Sequence, residues 1–299
     1  MRGQRLNLIR WLNCISILFL LAAAAPSVPA KAKTPQNRIK GSIRFELYRG
    51  YLMVTTGSVG PLKGLHFLLD TGTSTTLLDE RVARKLELDG LPEEVNVVFF
   101  KGAVRAVHSW APSIEIGPLR VFHRPVLIND LSALDDALPV HIDGIIGLDV
   151  LGQTPFEVDY RNRRIHFGPL PHLPVSIPLT REQGLAMVDV QVNHATAHLI
   201  FDTGTPSLLI FRSKLSKIFA GLKMPKGSRG AGAQSQAGNL SFPNIQLGDA
   251  EFVQQRAILA ESRDEYGRDF DGVLSPAALR IDAFAVDLDT GQLELRMGL

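Results

Sequence analysis

Two short stretches carry the residues best suited to chemistry. Asp70-Thr71-Gly72 follows the apolar run Phe67-Leu68-Leu69, and Asp202-Thr203-Gly204 follows Ile200-Phe201. Each reads as a buried strand delivering a carboxylate into a tight turn. A buried aspartate is costly unless it is hydrogen-bonded or shares its charge state with a neighbour. If a pseudo-twofold axis brings Asp70 and Asp202 together, both cannot ionise easily, so the pair shares a proton and titrates as a unit. Such a pair holds a base and an acid at once. The ionised member can take a proton from water, the water can attack a peptide carbonyl, and the protonated member can donate to the carbonyl oxygen or the leaving amine. That chemistry needs no metal, no other cofactor and no covalent intermediate.

The flanking residues suit the same reading. Gly72 and Gly204 permit a sharp turn and close approach of backbone N–H groups to the carboxylates. Thr71 and Thr203 can bond across the interface and hold the loops in register. Thr73, Ser74 and Thr205 offer hydroxyls slightly further out.

The elements needed to position the two aspartates recur in the same order. The two Asp-Thr-Gly copies lie 132 residues apart, Gly50-Tyr51-Leu52-Met53-Val54 and Gly184-Leu185-Ala186-Met187-Val188 lie 134 apart, and Asp143-Gly144 and Asp271-Gly272 lie 128 apart, as do Val158-Asp159 and Val286-Asp287. Four landmarks at near-constant spacing predict two equivalent, mainly β lobes, residues 42–168 and 179–299. Pro169, Pro171, Pro174 and Pro178 interrupt any regular element and make residues 169–178 the linker.

Within the first lobe, Ile43–Val54 and Leu65–Leu69 read as strands around a turn at Gly57-Ser58-Val59-Gly60-Pro61. Asp79 is placed to cap a short helix, Glu80–Leu88. Val95–Phe100 and Ala103–Trp110 form a hairpin around Lys101-Gly102, with further strands at Ile114–Ile116 and Val121–Ile128. Ile142–Ile146 is an apolar strand followed by a helical turn, and Phe156–Tyr160 and Ile165–Phe167 pair across a basic turn, Arg161–Arg164, read as a solvated tip. The small-residue stretch 227–238 reads as a loop or cover.

The wording of Leu69-Asp70-Thr71-Gly72-Thr73-Ser74, Asp143-Gly144-Ile145-Ile146-Gly147-Leu148-Asp149 and Asp159–Arg164 resembles the aspartic proteases, and the retropepsin-like members more than the pepsin-like ones. The resemblance runs over about residues 43–299, looser in the second half. It implies a mainly β, bilobal acid-protease fold with the cleft between two β-barrel lobes. It also implies a catalytic pair of Asp70 and Asp202, a flap over substrate at Phe99, Phe100, Lys101, Gly102 and Ala103, and apolar-apolar-Gly supports at Ile145, Ile146, Gly147 and Val273, Leu274, Ser275. The expected partner is a peptide or protein substrate, and the expected state is a monomer that pairs its own lobes. Three positions depart from the pattern: Ser275 stands where Gly147 has its match, Pro206 follows the second Asp-Thr-Gly-Thr, and the flap has no tyrosine.

The N-terminus reads differently. Arg2, Arg5 and Arg10 precede an apolar run, Trp11–Ala25, and Val28-Pro29-Ala30 offers small residues for cleavage. Residues 1–30 therefore read as a secretory signal peptide and 31–41 as a flexible lead, with a periplasmic or secreted mature chain; an uncleaved anchor is the minority reading, since the run is short for a bilayer span. Cys14, the one cysteine, lies inside it, so no disulfide, thiol nucleophile or cysteine metal site remains after cleavage.

Other functions fit less well. A net charge of +2 with 21% charged residues gives no case for nucleic acid. There is no His-Glu-x-x-His or Gly-x-Ser-x-Gly, Asp264, Asp269 and Asp271 miss the EF-hand spacing, and His194 and His198 read as ordinary surface or core histidines. The aspartyl-phosphate signature is missing its lysine in both copies. The competing reading is an exported, non-catalytic peptide-binding protein with this fold.

Overall fold

A computed structural model of the chain describes residues 19–21, 39–88, 94–99, 102–135, 138–192, 195–218, 238–260 and 270–298. Their architecture is mainly β, with only short helices. Each half builds one sheet, and a third sheet joins the halves.

The first-lobe sheet places its strands in the order 19–21, 94–99, 102–116, 119–129, 77–79, 144–146, 62–69, 52–59 and 46–48. The second-lobe sheet runs 180–182, 185–192, 195–201, 272–274, 208–211, 250–260 and 238–247. Read in the opposite direction, the seven strands from 46–48 to 102–116 in the first sheet match the seven of the second in order, and 94–99 and 19–21 are additional. In each, the short strand after the Asp-Gly pair lies parallel to the strand that ends at the aspartate: Gly144–Ile146 beside Phe67–Leu69, and Gly272–Leu274 beside Leu199–Phe201. Its other edge pairs antiparallel with the segment after the turn, Leu77–Leu78 or Leu209–Ile210. All these residues are buried, which is why they read as continuous apolar runs rather than alternating ones. Gly272 is forced by this crowding, because a Cβ there would lie 2.0 Å from the Leu209 carbonyl oxygen.

The joining sheet has the order 175–178, 292–297, 281–287, 156–159, 164–167 and 41–44. Its centre is the pairing of Phe156–Asp159 with Ala283–Val286, one strand from each half, and the order is the same read from either side of that line. Phe284 sits at its middle, 4.9 Å from the Phe201 ring and edge-on to it, and 6.4 Å from Phe156. Phe201 precedes Asp202, so this aromatic contact ties the joining sheet to the second Asp-Thr-Gly loop.

Several local expectations change. The turn in the first hairpin is Gly60-Pro61, and Gly57–Val59 belongs to the strand Leu52–Val59. Ile43–Val54 is broken by Arg49-Gly50, both with positive φ. The segments expected at Ala103–Trp110 and Ile114–Ile116 are one strand, Gly102–Ile116; Pro112 within it gives no N–H, and His123 on the neighbouring strand has φ 45°. Gly102 therefore starts a strand and pairs with Phe99 instead of lying in the turn. The proline-rich linker is not free of regular structure, because Val175–Pro178 pairs with Gln292–Leu295 at the edge of the joining sheet, where a missing N–H is tolerated. Asp79 caps Glu80–Lys85 as expected, accepting from Arg81 N–H at 2.9 Å. Phe19–Leu21, from the N-terminal apolar run, pairs antiparallel with Val97–Phe99. No helix among the described residues is long and apolar enough to cross a membrane.

Candidate active site

Asp70 and Asp202 emerge from equivalent strand ends and meet where the lobes join. Each backbone N–H is held by the neighbouring parallel strand, Asp70 N–H by the Ile146 carbonyl and Asp202 N–H by the Leu274 carbonyl, both at 3.0 Å. Both side chains are completely buried. Gly72 makes their approach possible: a Cβ there would sit 2.4 Å from Asp202 Cγ.

The threonines lock the two loops together. Thr71 N–H donates to Thr203 Oγ1 and Thr203 N–H to Thr71 Oγ1, each at 3.1 Å. The hydroxyls then reach across, Thr71 Oγ1 donating to the Phe201 carbonyl at 2.8 Å and Thr203 Oγ1 to the Leu69 carbonyl at 3.3 Å. Four bonds, related in pairs by the pseudo-twofold axis, fix the register of the carboxylates without touching them.

The carboxylates themselves are not equivalent. Asp70 accepts from Gly72 N–H at 2.8 Å and from Thr73 Oγ1 at 2.9 Å. Asp202 accepts from Gly204 N–H at 2.6 Å, while Thr205 Oγ1 turns to Ser207. Burial pushes both carboxyls above the usual range, Asp202 far above it because the Asp70 charge adds to the effect. The bond between the two carboxyls and the donors from Gly72, Thr73 and Gly204 hold Asp70 down. Donors favour the ionised form, so Asp70 is the more readily ionised member of the pair.

Behind each loop the Asp-Gly segments act as matched braces. Asp143 N–H donates to the His66 carbonyl at 2.8 Å and its Oδ2 accepts from His66 N–H at 2.9 Å; Asp271 does the same with His198, at 2.7 and 2.8 Å. These carboxylates are spent on backbone. The His198 ring lies between Asp189, at 2.7 Å, and Glu182, at 3.0 Å. His194 lies outside the described residues.

Ser275 is explained by the residue after it. In the first lobe Leu148 N–H donates to the Thr73 carbonyl at 2.8 Å, and a Cβ on Gly147 would come within 2.5 Å of that oxygen. The second lobe has Pro276 in place of Leu148 and lacks the N–H. The Ser275 hydroxyl supplies the missing donor to the Thr205 carbonyl and accepts from Ala278 N–H. Placing the halves side by side at the 128-residue offset would have found this exchange in the sequence. Pro206 and its counterpart Ser74 are both half-buried, and the proline leaves the Asp202 N–H bond unchanged.

Ile145, Ile146, Val273 and Leu274 are buried beneath the loops. In the expected flap, Phe99 pairs with Gly102 and Val98 with Ala103, while Phe100 and Lys101, at the tip, lie outside the described residues. In the basic turn after Asp159, Arg161 pairs with Asp282 and Arg164 donates to the Ser42 hydroxyl.

Fold and site together define a bilobal β protein with two buried aspartates in mutual contact on loops related by a pseudo-twofold axis. Residues 55–150 match the model of the aspartyl protease family, which supports membership of the aspartic protease superfamily. A search of curated proteins returns no significant match. The match ends before Asp202, so the second half enters on its own geometry.

Proposed function

We propose that the chain is an aspartic endopeptidase in which Asp70 and Asp202 activate one water between them. The observation that carries this reading is the buried contact of the two carboxyls, one of them richer in hydrogen-bond donors than the other. Asp70 takes a proton from water as the hydroxyl oxygen bonds to the peptide carbonyl carbon, and Asp202 gives its proton to the carbonyl oxygen. The tetrahedral species then collapses: its C–N bond breaks, the amine nitrogen gains a proton from the Asp70 carboxyl, and Asp202 regains one from the collapsing hydroxyl. Both carboxyls end as they began. The hairpin 94–99/102–116 is the natural cover for a bound peptide, an extended chain taking through backbone bonds the edge at Val97–Phe99 that Phe19–Leu21 occupies in this structure.

We further propose that the protein works as a monomer with both catalytic loops in one chain, and outside the cytoplasm. Pairing of strands from both halves in one sheet supports the first statement, and the basic, apolar and small-residue order of residues 1–30 supports the second. Cleavage of unfolded casein across pH, with Asp70→Asn and Asp202→Asn beside the parent, tests the function. Loss of cleavage in both variants is expected. Cleavage that survives either change would overturn the paired-aspartate reading, and a parent that binds peptides without cutting them would favour the peptide-binding alternative.

A further inference from the structure

A polar chain, buried at Thr76 and half-buried at Asp149 and Arg124, lies behind one catalytic loop and has no equivalent among the described residues behind the other. Asp149, half-buried after Gly147-Leu148, accepts from Thr76 Oγ1 at 2.8 Å, and Thr76 Oγ1 in turn accepts from Gly147 N–H at 3.2 Å. Arg124, on the strand Leu119–Asn129, donates to the Asp149 carbonyl and places Nε 3.9 Å from Asp149 Oδ2. The next residue along, Leu148, pins the Thr73 carbonyl at 2.8 Å. Thr73 then gives its hydroxyl to Asp70 Oδ2 at 2.9 Å. The path from Arg124 to the Asp70 carboxylate is thus continuous, each member bonded or ion-paired to the next or joined to it by one peptide.

In the second lobe the corresponding positions are Leu208 for Thr76 and Ala277 for Asp149, both without a polar side chain. There the hydroxyl of Thr205 turns away to Ser207, and Asp202 Oδ2 accepts from no donor. The lobe with the polar chain is the lobe whose aspartate receives the threonine. We propose that the Arg124–Asp149–Thr76 chain positions Asp70, through Thr73, as the member of the pair that takes the proton from water. The inference rests on the paired-aspartate reading above and names positioning residues, none of which touches substrate.

The groups that bear on this titration are few. Asp202 faces Asp70, the Tyr160 phenol lies near Asp202, and Arg124 faces Asp149. The test compares Thr76→Val, Thr76→Ser, Asp149→Asn and Asp149→Ala with the parent. Two readouts are used: the pH profile of kcat/KM on unfolded casein, and carboxyl carbon NMR titration with Asp70→Asn and Asp202→Asn to assign the pair. Thr76→Val and Asp149→Ala should move the acid limb, and the lower step of the carboxyl titration, upward by about one pH unit, a tenfold loss of kcat/KM below that limb. Thr76→Ser and Asp149→Asn keep a hydroxyl and an acceptor and should retain the parent profile. A uniform fall in rate with an unmoved acid limb and carboxyl step would overturn the proposal, as would a limb moved equally by Thr76→Ser. If no protein cleaves casein, the functional reading fails, and the NMR titration still decides the positioning role. Should Thr76→Val not fold, the Asp149 pair carries the same comparison.

Discussion

Thr71 and Thr203 donate their backbone N–H groups to each other's hydroxyl oxygens at equal distances of 3.1 Å. The reciprocity makes the lobes one unit at the site: neither loop completes its own bonding alone. Thr71→Val or Thr203→Val removes an acceptor and a donor while keeping shape, leaving a buried N–H and a carbonyl unpaired. Each should cost about 1–3 kcal/mol in urea unfolding. The double variant should cost less than the two losses added, because the four bonds form one network across the interface and its second loss falls on a loop already loosened by the first; strict additivity would show that the threonines act independently.

Gly72 has Asp202 against its α-carbon, with Cγ 2.4 Å from where a Cβ would lie. Gly72→Ala must push the carboxyls apart. Cleavage should fall at least about 100-fold, the scale of losing acid–base assistance. A folded Gly72→Ala protein with parental kcat would contradict the geometry.

The raised carboxyls also set a sign for stability against pH. Both aspartates bind their protons more tightly folded than unfolded, so this contribution is full below the unfolded carboxylate value of about 4 and is lost as pH rises through the folded values. Asparagine cannot ionise. Asp202→Asn should therefore raise Tm relative to the parent at pH 7 and change it little at pH 3, roughly 2–4 °C for each kcal/mol recovered. An equal shift at both pH values would mean that the gain does not come from the lost charge.

Ser275→Gly should destabilise the second lobe by about 1–3 kcal/mol, since the Thr205 carbonyl then has neither the hydroxyl nor, with Pro276 following, a backbone donor. Adding Pro276→Leu restores the first-lobe arrangement and should recover part of the loss. Thermal unfolding of the single and double variants reads the difference; no recovery would break the link between the two positions.

Much of this was legible because duplication makes a sequence check itself. Asp70 and Asp202, their glycines and the apolar strands before them pointed to a shared site, and burial on both faces explains why those runs lack alternation. The extent of Gly102–Ile116 was not legible, because Pro112 reads as a break when the neighbouring strand is unknown. Val175–Pro178 was hidden among prolines that an edge strand tolerates. Ser275 reads as a defect until Pro276, its partner in compensation, is set beside it. The Thr76–Asp149 contact spans 73 residues of chain, and no local pattern announces a pair that distant.

The sheet that joins the halves sets an order of events. Its central pairing links Phe156–Asp159 with Ala283–Val286, one strand from each half, and Gln292–Met297 lies between that pairing and the edge strand Val175–Pro178. Contacts between such distant segments close late, after the loop entropy between them has been overcome. A chain cut short before residue 281 would carry both Asp-Thr-Gly loops and lack the floor that brings them together. The paired aspartates are thus a joint product of both halves closed on one sheet, and neither half holds the pair alone.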